Sequence, residues 1–400
     1  MQNAEFRLFL HSAFCILHSL MPTVLFPHFD HSAIEERFAS WQARTRFREG
    51  GAGVLAYSPE DRASDVAGEV ETTHVVVVTD PLLLPSKNLP RRLLAELKGS
   101  VEAVLPVTNQ PENPAQQQTV EAYATLRDLD AVTARLEARP ADVQRVTWDR
   151  SNPFVFACRA DMLDAMDVPL REVLHGKSVA VSRNDYVHRW SSMRGQVRMD
   201  LLDRIAKDAK TILEFGCGEA TLGAALKARQ KCRVVGIEID RQAAAIARKR
   251  IDDVYCGDAR EIVAIIHDTF DWIIGGDIIE HLDDPWTFLS DLRRIAKPGG
   301  RLLLSIPNIA HAAIVGDLLA GRFDYVYMGL TCVGHLRFFT RASVLEMLAI
   351  AGWAAESVEP QPLQPSIGGD ALLRALEEAR IPFSRDDLLA PGYYVTARNG

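Results

Sequence analysis

Cysteine is scarce in this 400-residue chain, and no pattern relates the cysteines to one another. There is no C-x-x-C pair and no spacing typical of metal ligands, so we predict no metal site. Scattered cysteines of this kind are typical of structural thiols in a reducing cytosol, and we expect a cytoplasmic protein. The six are Cys15, Cys158, Cys217, Cys232, Cys256 and Cys332.

Positive charge and long apolar runs are lacking as well. The chain has 45 lysines and arginines against 53 aspartates and glutamates, a formal net charge of −8. This balance argues against a nucleic-acid protein with a broad basic surface, although it leaves a local basic groove open. No segment approaches the roughly 20 apolar residues of a membrane span. We therefore expect neither nucleic acid as a partner nor stable membrane insertion, and the sequence does not indicate the oligomeric state.

The N-terminus has no convincing targeting signal. The stretch from Phe6 to Phe26 is only moderately apolar and is interrupted by two histidines and a proline. A secretory signal needs a stronger apolar centre and a small-residue cleavage site. The tripeptide LHS occurs at residues 10–12 and again at 17–19, which is typical of translated upstream sequence. We interpret residues 1–26 as a disordered or mis-started N-terminus, with Met21 as a candidate true start.

Length and composition predict two domains of ordinary globular character. Hydrophobic residues make up 48% of the chain and charged residues 24%, and 400 residues suffice for two cores. Residues 27–190 alternate between strand and helix patterns, which predicts a smaller α/β domain. Its expected elements are a strand in the segment 75–85 that ends at Asp80 and Pro81, a strand at 101–107, helices at 90–97 and 120–138, a polar surface loop at 109–118, and a strand leading into a helix at 153–163.

Residues 191–400 show a more regular alternation. Short apolar strands separated by helical patterns are typical of a parallel sheet that is buried on both faces. We predict a doubly wound, mostly parallel sheet of seven strands, with the last two as an antiparallel pair at its edge. An amphipathic helix at 197–206 should lead into it, and a helix at 370–380 should join the last two strands. The strands are expected at 211–216, 232–239, 253–258, 270–277, 301–307, 353–360 and 393–399.

The most informative motif begins at the first of these strands. LEFGCGEATLG, from Leu213 to Gly223, is a buried strand, a glycine turn and a helix start, and Glu238 closes the next strand. Glycines allow a nucleoside-bearing cofactor to approach the backbone, and a carboxylate can accept from two ribose hydroxyls. A nicotinamide-dependent reductase is the rival. Its phosphate-binding loop should have the spacing G-x-G-x-x-G, whereas here Thr221 occupies the position of the third glycine.

From about residue 190 onward the chain resembles the class I methyltransferases that use S-adenosylmethionine. The resemblance rests on five segments in the family's order and spacing, and together they favour the methyltransferase over the reductase. The segments are LEFGCGE, GIEID, CGDA, DIIEHLDDP and KPGGRLLLSIPN.

The resemblance implies S-adenosylmethionine as the cofactor. Gly216 and Gly218 should let the loop backbone lie against the methionine and ribose, and Ala220 stands where the family often has a third glycine. Glu214 should orient the loop or the methionine amino group. The cofactor-binding residues implied are Glu214, Gly216, Cys217, Gly218, Glu238, Ile239, Asp258, Ala259 and Asp277.

Acidic residues close the successive strands of this segment, and ligands bind at the carboxyl ends of strands in such sheets. Glu238 is expected to hold the ribose. Asp258, with Ala259 beside it, is expected to accept from the adenine amino group. Asp277 is expected to face the transferring methyl group and the acceptor.

Methyl transfer to an oxygen requires that the acceptor lose a proton, and a histidine of near-neutral pKa is the natural base. His281 is the first candidate for a catalytic base. His335 is the second catalytic candidate. His335 and His311 are both candidates for lining the acceptor pocket, with helix capping or a satisfied hydrogen bond as the alternative role.

The segments EHLDDPW, SIPNIAHAAIVGDLLAGRF and HLRFFT resemble bacterial methyltransferases of polysaccharide and O-antigen synthesis, which are often fused to glycosyltransferases. Residues 27–190 in turn resemble the later half of a GT-A glycosyltransferase domain. The metal-binding D-x-D pair of that fold is missing, since Asp80 stands alone between Thr79 and Pro81. We interpret this region as a reduced, non-catalytic glycosyltransferase-like module, with a plain structural appendage as the alternative.

Taken together, the sequence predicts an S-adenosylmethionine-dependent methyltransferase that acts on an oxygen of a sugar, glycan precursor or similar small metabolite. Two alternatives stay open. The chain is a bifunctional glycosyltransferase and methyltransferase, or it is a catalytically silent S-adenosylmethionine-binding module of a surface-glycan assembly.

Overall fold

The computed structural model describes residues 21–28, 33–190 and 197–400. The chain divides into two compact units, one lying mostly before residue 191 and the other mostly after it. Within the described residues, no helix is both long enough and apolar enough to cross a bilayer. The expectation for residues 1–20, including Cys15 and the repeated LHS, lies outside the described part of the chain.

The first unit is built on a mixed sheet. In the described part of the chain its order is β2-β1-β3-β7-β5-β8-β4, with β6 paired to β8. Three of the pairings, β1 with β2, β1 with β3, and β5 with β8, are parallel, and the others are antiparallel. The strands are β1 (Thr23–Pro27), β2 (Gly53–Tyr57), β3 (His74–Val78), β4 (Leu83–Pro85), β5 (Ala103–Thr108), β6 (Val143–Thr147), β7 (Val155–Arg159) and β8 (Ser178–Arg189).

Helices pack against this sheet and bury its apolar side chains. The described helices of the unit are α1 (Ile34–Glu49), α2 (Ala63–Ala67), α3 (Leu89–Ala95), α4 (Leu126–Glu137) and α5 (Ala160–Asp164), with 3₁₀ turns at Pro114–Gln116 and Leu170–Glu172. Val24 and Phe26 of β1, Val76 of β3 and Phe47 of α1 share one buried cluster. The α/β alternation expected for this region is therefore present.

The structure corrects three expectations for the first unit. The predicted disordered segment extends too far, because residues 23–26 belong to β1 and three of them are fully buried. The strand expected to end at Asp80 and Pro81 is β3, which already ends at Val78, and a further strand, β4, follows it at Leu83. The predicted polar loop at 109–118 is partly interior, since the Gln116 amide is buried and donates to the carbonyl oxygen of Pro106 at 2.9 Å.

The second unit holds a seven-stranded sheet in the order β11-β10-β9-β12-β13-β15-β14. The first five strands in this order are parallel, and β15 pairs antiparallel with both β13 and β14. The strand order reverses between β9 and β12. The strands are β9 (Thr211–Phe215), β10 (Arg233–Glu238), β11 (Asp253–Cys256), β12 (Phe270–Gly276), β13 (Ala296–Pro307), β14 (Trp353–Pro360) and β15 (Gly392–Asn399).

Helices cover this sheet, whose central strands bury Leu213, Val235, Ile273 and Leu304 completely. The predicted lead-in helix at 197–206 is only one turn long, α6, and the predicted helix at 370–380 begins earlier, at Ile367. The described helices are α6 (Met199–Leu202), α7 (Thr221–Arg229), α8 (Arg241–Ala247), α9 (Ala259–Ile265), α10 (Pro285–Ile295), α11 (Ala312–Leu319), α12 (Arg341–Ile350), α13 (Ile367–Glu378) and α14 (Arg385–Leu389), with a 3₁₀ turn at Ile279–His281.

This topology determines where a ligand can bind. The parallel strands β9 to β13 all point the same way, so their carboxyl ends meet at one edge of the sheet. β9 lies between β10 and β12. The strands that follow β9 in the chain are added first on one side of it, as β10 and β11, and then on the other, as β12 and β13, so the strand order switches at β9. The predicted acidic residues follow or end these strands and are therefore brought to the same edge.

Candidate active site

A left-handed turn follows β9 and opens the site. Gly216 and Gly218 have φ values of +68° and +53°, and Ala220, the residue before α7, has +56°. A β carbon on Gly216 would lie 2.4 Å from Cδ1 of Ile278, so a side chain does not fit there. A β carbon on Gly218 would meet nothing within 4 Å. The turn thus has a backbone exposed to open space at Gly218, as a closely approaching ligand needs.

Glu238, the last residue of β10, holds the turn in place. One of its carboxylate oxygens accepts a hydrogen bond from the Gly218 amide at 2.7 Å. The other accepts from the Asp240 amide at 2.8 Å. Each carboxylate oxygen has a second lone pair, which leaves Glu238 able to accept from ligand hydroxyls as well. The residue predicted to bind ribose therefore also fixes the glycine turn.

Glu214 lies one strand position before Phe215 and points into the interior. Its side chain accepts from the Gly223 amide, but Oε2 is buried and has no hydrogen-bond partner. Burial raises the pKa of this carboxyl to about 8, and the nearby charge of Glu238 adds to the effect. A buried acceptor without a partner is costly, so the site favours a cationic donor at this point.

The predicted adenine end has its own local structure. Asp258 caps α9, where Oδ1 accepts from the Arg260 amide at 2.9 Å, and its carboxylate is also paired with the Arg260 guanidinium. Hydrogen bonds from Arg260 lower the pKa of Asp258. Ala259 packs against the core, and Ile239 is 71% exposed beside the end of β10. An exposed apolar side chain next to a hydrogen-bond acceptor suits a flat heterocycle.

Cys217, within the glycine turn, is buried rather than presented to a ligand. A β carbon on Gly236 would lie 2.6 Å from the Cys217 sulfur, so the thiol packs against the β10 backbone. Burial raises the pKa of this thiol. Its side chain supports the turn from behind, and only its backbone is available to a ligand.

Asp277 follows β12 directly and has an unusual backbone conformation, with φ at +55°. Its carboxylate is paired with Arg198, with 2.5 Å between Oδ2 and Nη1, and it accepts a hydrogen bond from the Ser305 hydroxyl. Non-glycine residues in this region are strained and cluster at functional sites. The sequence did not single out Arg198, which lies 79 residues away in the chain.

The structure brings His281 and His335 together, with ring centroids 4.9 Å apart. Nδ1 of His281 lies 3.0 Å from the Gly334 carbonyl oxygen, and Nδ1 of His335 lies 3.3 Å from that of Leu330. Because a carbonyl oxygen only accepts, both Nδ1 atoms carry a proton, and in the neutral form of each ring the lone pair lies on Nε2. Burial lowers the pKa of His335 to about 4, with the nearby His281 adding to the effect, so its imidazole is neutral at physiological pH.

Glu280 completes this cluster and was not singled out in the sequence. Its side chain is about 1% exposed, Oε2 has no hydrogen-bond partner, and Oε1 lies 3.9 Å from Nε2 of His335. Burial raises its pKa well above the usual range, and the charge of Asp277 acts in the same direction. Its backbone carbonyl accepts from the amides of Leu336 and Arg337, which holds the two segments against each other.

His311 is not part of this cluster. It is fully buried at the start of α11, where Nδ1 accepts from the Ala313 amide at 3.3 Å and Nε2 donates to the Gln364 carbonyl at 2.9 Å. The capping role is therefore the one that the structure supports.

Asp80 of the first unit is satisfied within that unit. Oδ1 accepts from the Leu82 amide at 2.9 Å, and Oδ2 pairs with Nε of Arg189 at 3.0 Å. The Arg189 guanidinium also lies 3.7 Å from the centre of the Phe154 ring. This acid is therefore committed to a structural ion pair.

Residues 189–358 match a family model described as a methyltransferase domain. Over these residues the chain is therefore similar to methyltransferases, and its relatives include one named as dependent on S-adenosylmethionine. A probable S-adenosylmethionine-dependent methyltransferase of Mycolicibacterium smegmatis is 31% identical over 149 residues, 37% of this chain and 53% of that protein. A ubiquinone biosynthesis O-methyltransferase of Hahella chejuensis is 29% identical over 31% of this chain and 58% of its own length.

A further relative, a tRNA 5-carboxymethoxyuridine methyltransferase of Escherichia coli, is 27% identical over 37% of this chain and 61% of its own length. The chain thus spans between 53% and 61% of the length of these three relatives. All three relatives are named as methyltransferases, one of them for ubiquinone biosynthesis and another for a tRNA nucleoside.

The residues of the matched region fit S-adenosylmethionine. The Glu214 oxygen without a partner suits the cationic methionine end, the open backbone at Gly218 suits close approach, and Glu238 has lone pairs left for ribose hydroxyls. The exposed Ile239 and the acceptor Asp258 suit adenine. Carboxylates along one sheet edge also complement the positive charge of a sulfonium.

Proposed function

We propose that the chain transfers the methyl group of S-adenosylmethionine to an oxygen atom of a small-molecule acceptor. The observation that carries the proposal is the neighbourhood of Asp277. A glycine turn with ordered carboxylates lies on one side of Asp277 in the strand order, and a half-buried pair of imidazoles, His281 and His335, follows it in the chain. A transferase of this kind needs a donor site and a proton-accepting acceptor site next to each other.

The cofactor, when bound, supplies an activated methyl group. The chain's own residues position it: Glu214 would hold the amino end, Glu238 the ribose and Asp258 the adenine. Asp277, fixed by Arg198 and Ser305, would define the boundary between donor and acceptor. Because methyl transfer is a direct displacement, alignment and exclusion of water are the main tasks of these residues.

On the acceptor side, the sequence predicts His281 as the base. The hydrogen bond between its Nδ1 and Gly334 orients the ring and leaves Nε2 as the proton-accepting atom. His335, neutral and packed against His281, would line the same pocket.

The acceptor class rests on resemblance alone. One relative is named as an O-methyltransferase of ubiquinone biosynthesis, which supports oxygen as the accepting atom, while another is named for a tRNA nucleoside. A sugar or glycan precursor stays our prediction, on the likeness of the EHLDDPW and HLRFFT segments to polysaccharide methyltransferases, as does a cytoplasmic location. The net charge of −8 favours a small acceptor over RNA.

For the first unit we keep the interpretation of a reduced glycosyltransferase-like module without catalysis. The pairing of Asp80 with Arg189 supports it, because a carboxylate that binds a nucleotide-sugar metal must be free of such a partner. A bifunctional enzyme would instead show affinity for a nucleotide sugar that depends on a divalent metal.

A methyl-transfer screen tests the proposal. Sugar nucleotides, lipid-linked sugars, phenolic quinone precursors and tRNA are offered as acceptors with radiolabelled S-adenosylmethionine. We expect transfer to a hydroxyl of a small molecule, and we expect His281→Ala to lower turnover far more than cofactor affinity. Transfer to tRNA alone, or an unchanged rate in His281→Ala, would contradict the proposal. Cofactor binding without transfer to any acceptor would favour the catalytically silent alternative.

A further inference from the structure

Glu280, His281 and His335 each offer one potential ligand atom, and the three atoms lie within 4.8 Å of one another. We propose that this cluster, termed the Glu-His-His cluster, binds a divalent transition-metal ion of the Zn²⁺ or Co²⁺ class. The sequence predicted no metal site, because its cysteines and histidines do not have a spacing that is typical of metal ligands. Glu280 and His281 are adjacent, but His335 is 54 residues further along the chain.

One oxygen of the Glu280 carboxylate lacks the hydrogen bond that a buried acid needs. Glu280 is almost completely buried, and its Oε2 has no hydrogen-bond partner. Most buried polar atoms in native proteins have a partner, and an isolated one needs a physical reason. Its nearest basic group is the Nε2 of His335, at 3.9 Å from Oε1, which is too long for a hydrogen bond. A cation between the carboxylate and the imidazoles would remove this deficit.

The imidazoles of His281 and His335 have the orientation of metal ligands. In both histidines Nδ1 is turned to a backbone carbonyl, Gly334 for His281 and Leu330 for His335. Metal-binding histidines almost always donate their second ring N–H to a carbonyl or carboxylate in this way, which fixes the tautomer with the other nitrogen free. Two imidazoles prepared alike and packed 4.9 Å apart therefore present lone pairs to the same small volume.

Backbone hydrogen bonds hold the segment that carries Glu280 and His281 against the segment that carries His335. The backbone carbonyl of Glu280 accepts from the amides of Leu336 at 2.8 Å and Arg337 at 3.0 Å. The 3₁₀ turn Ile279–His281 and the segment that carries His335 are thus joined by backbone hydrogen bonds on one side and by the His281–Gly334 bond on the other. The ligands come from rigidly joined pieces of chain, as metal sites require.

The ligand types select the metal. One carboxylate and two imidazoles form a set that suits Zn²⁺, Co²⁺ or Fe²⁺, whereas Mg²⁺ and Ca²⁺ prefer oxygen ligands alone. Bonds of about 2.0–2.2 Å place the ligands of a tetrahedral site about 3.4 Å apart. The three side chains would therefore draw in by about 1 Å on binding. Three protein ligands leave an open position, as in catalytic rather than structural sites.

The metal would act through its open coordination position, where an acceptor can bind. This role of the metal rests on the proposed function. An acceptor hydroxyl bound to the metal would have a lowered pKa and release its proton to water before it attacks the methyl group. The C–S bond of the cofactor then breaks as the O–C bond forms. In this scheme His281 is a ligand of the metal, and this role replaces the one of proton-accepting base that the proposed function gives it.

Metal binding is measured on the whole chain after removal of metal by a chelator. Zn²⁺ is titrated by calorimetry, and Co²⁺ by its visible absorption. We expect one equivalent to bind, and we expect Glu280→Gln and His335→Ala to weaken binding by more than about 100-fold, since even indirect partners of metal ligands typically contribute about 10–100-fold. His267→Ala is the matched control, because His267 is exposed and lies outside the cluster.

Retained S-adenosylmethionine binding shows that each variant is folded. Metal affinity that is the same in wild type, Glu280→Gln and His335→Ala would overturn the site, as would the absence of Zn²⁺ and Co²⁺ binding. Methyl transfer that survives complete removal of metal would overturn the proposed role. A failure of the proposed function has a different signature, in which metal binds normally but no acceptor is methylated.

Discussion

Asp80 in the first unit and Asp277 in the second occupy comparable places. Each follows a buried strand of a sheet, and each forms an ion pair with an arginine, Arg189 and Arg198 respectively. Yet the Asp80 side chain is only 15% exposed, and β1 and β2, the strands parallel to β3 in that sheet, run on into His28 and Ser58 rather than into acidic residues. The Asp277 side chain is 45% exposed and stands at the sheet edge that also carries Glu214 and Glu238.

The comparison shows what makes a strand-end carboxylate functional. An isolated acid satisfied by one arginine and one amide is a structural group, whatever fold it resembles. Several acids at one parallel-sheet edge repel one another and create a strongly negative potential, which a cationic ligand relieves. At Glu214, burial raises the pKa of the carboxyl to about 8, and the charge of Glu238 adds to the effect.

The largest effect should come from Glu238→Ala. The change removes the hydrogen bond from the Gly218 amide and the carboxylate that we propose as acceptor for the ribose hydroxyls, and charge-assisted hydrogen bonds contribute about 1.5–3 kcal/mol each. We expect the affinity for S-adenosylmethionine, measured by calorimetry, to fall by about 100-fold or more. Glu219→Ala, a change to a neighbouring acid paired with Arg250, should leave that affinity nearly unchanged. Equal losses in the two variants would mean that the strand-end position has no special role.

Glu214 should impose a pH dependence on cofactor binding. Its pKa of about 8 means that the free chain binds a proton there at neutral pH, which a cationic ligand must displace. We expect affinity to rise with pH up to about 8, by at most about tenfold per unit, and Glu214→Gln to remove this dependence.

The raised pKa of Glu214 has the opposite effect on the stability of the folded chain, which should fall as pH rises. Because the folded state keeps a proton that the unfolded state loses above its pKa of 4.5, Glu214 makes the cofactor-free chain less stable as pH rises from 4.5 towards 8. Thermal unfolding across this range, compared with Glu214→Gln, measures the contribution. Stability that is flat or rises in wild type relative to the variant would contradict the burial of an unpaired carboxyl.

Asp80→Asn should have the smallest effect on function. We expect no change in affinity for S-adenosylmethionine beyond about twofold, together with a loss of about 1–3 kcal/mol in the free energy of unfolding, because Arg189 loses a partly buried partner. Calorimetry and denaturant unfolding of the same variant give both values. A cofactor affinity that falls as it does in Glu238→Ala would remove the distinction between the two acids.

The sequence was sufficient for the parallel strands of the second unit because they are fully buried and read as short apolar runs. β8 of the first unit escaped notice because its sequence contains Asn184 and Asp185, which are buried and partnered inside the protein. Asn184 donates to the Pro140 carbonyl at 2.5 Å, and Asp185 pairs with Arg92. These tertiary contacts, invisible in a local pattern, override the polar composition.

The residues of the candidate site also fall into two groups, those that a local sequence pattern reveals and those that only tertiary contacts reveal. Glu214, the glycines and Glu238 are close in sequence to the strands that position them, and a local pattern suffices to find them. Glu280 and Arg198 acquire their importance from segments 55 or more residues away, through contacts with the turn at His335 and with Asp277. No local pattern contains that information.

The central claim is that the turn at Gly216 and Gly218 is the binding site for S-adenosylmethionine. The most direct test is a calorimetric titration of the cofactor into the wild-type chain and into Gly218→Arg, whose side chain would fill the open space next to that backbone. The account predicts saturable binding at one site in the wild type and none in the variant, with both chains unfolding at similar temperatures. Absence of binding in the wild type, or equal affinity in Gly218→Arg, would contradict it.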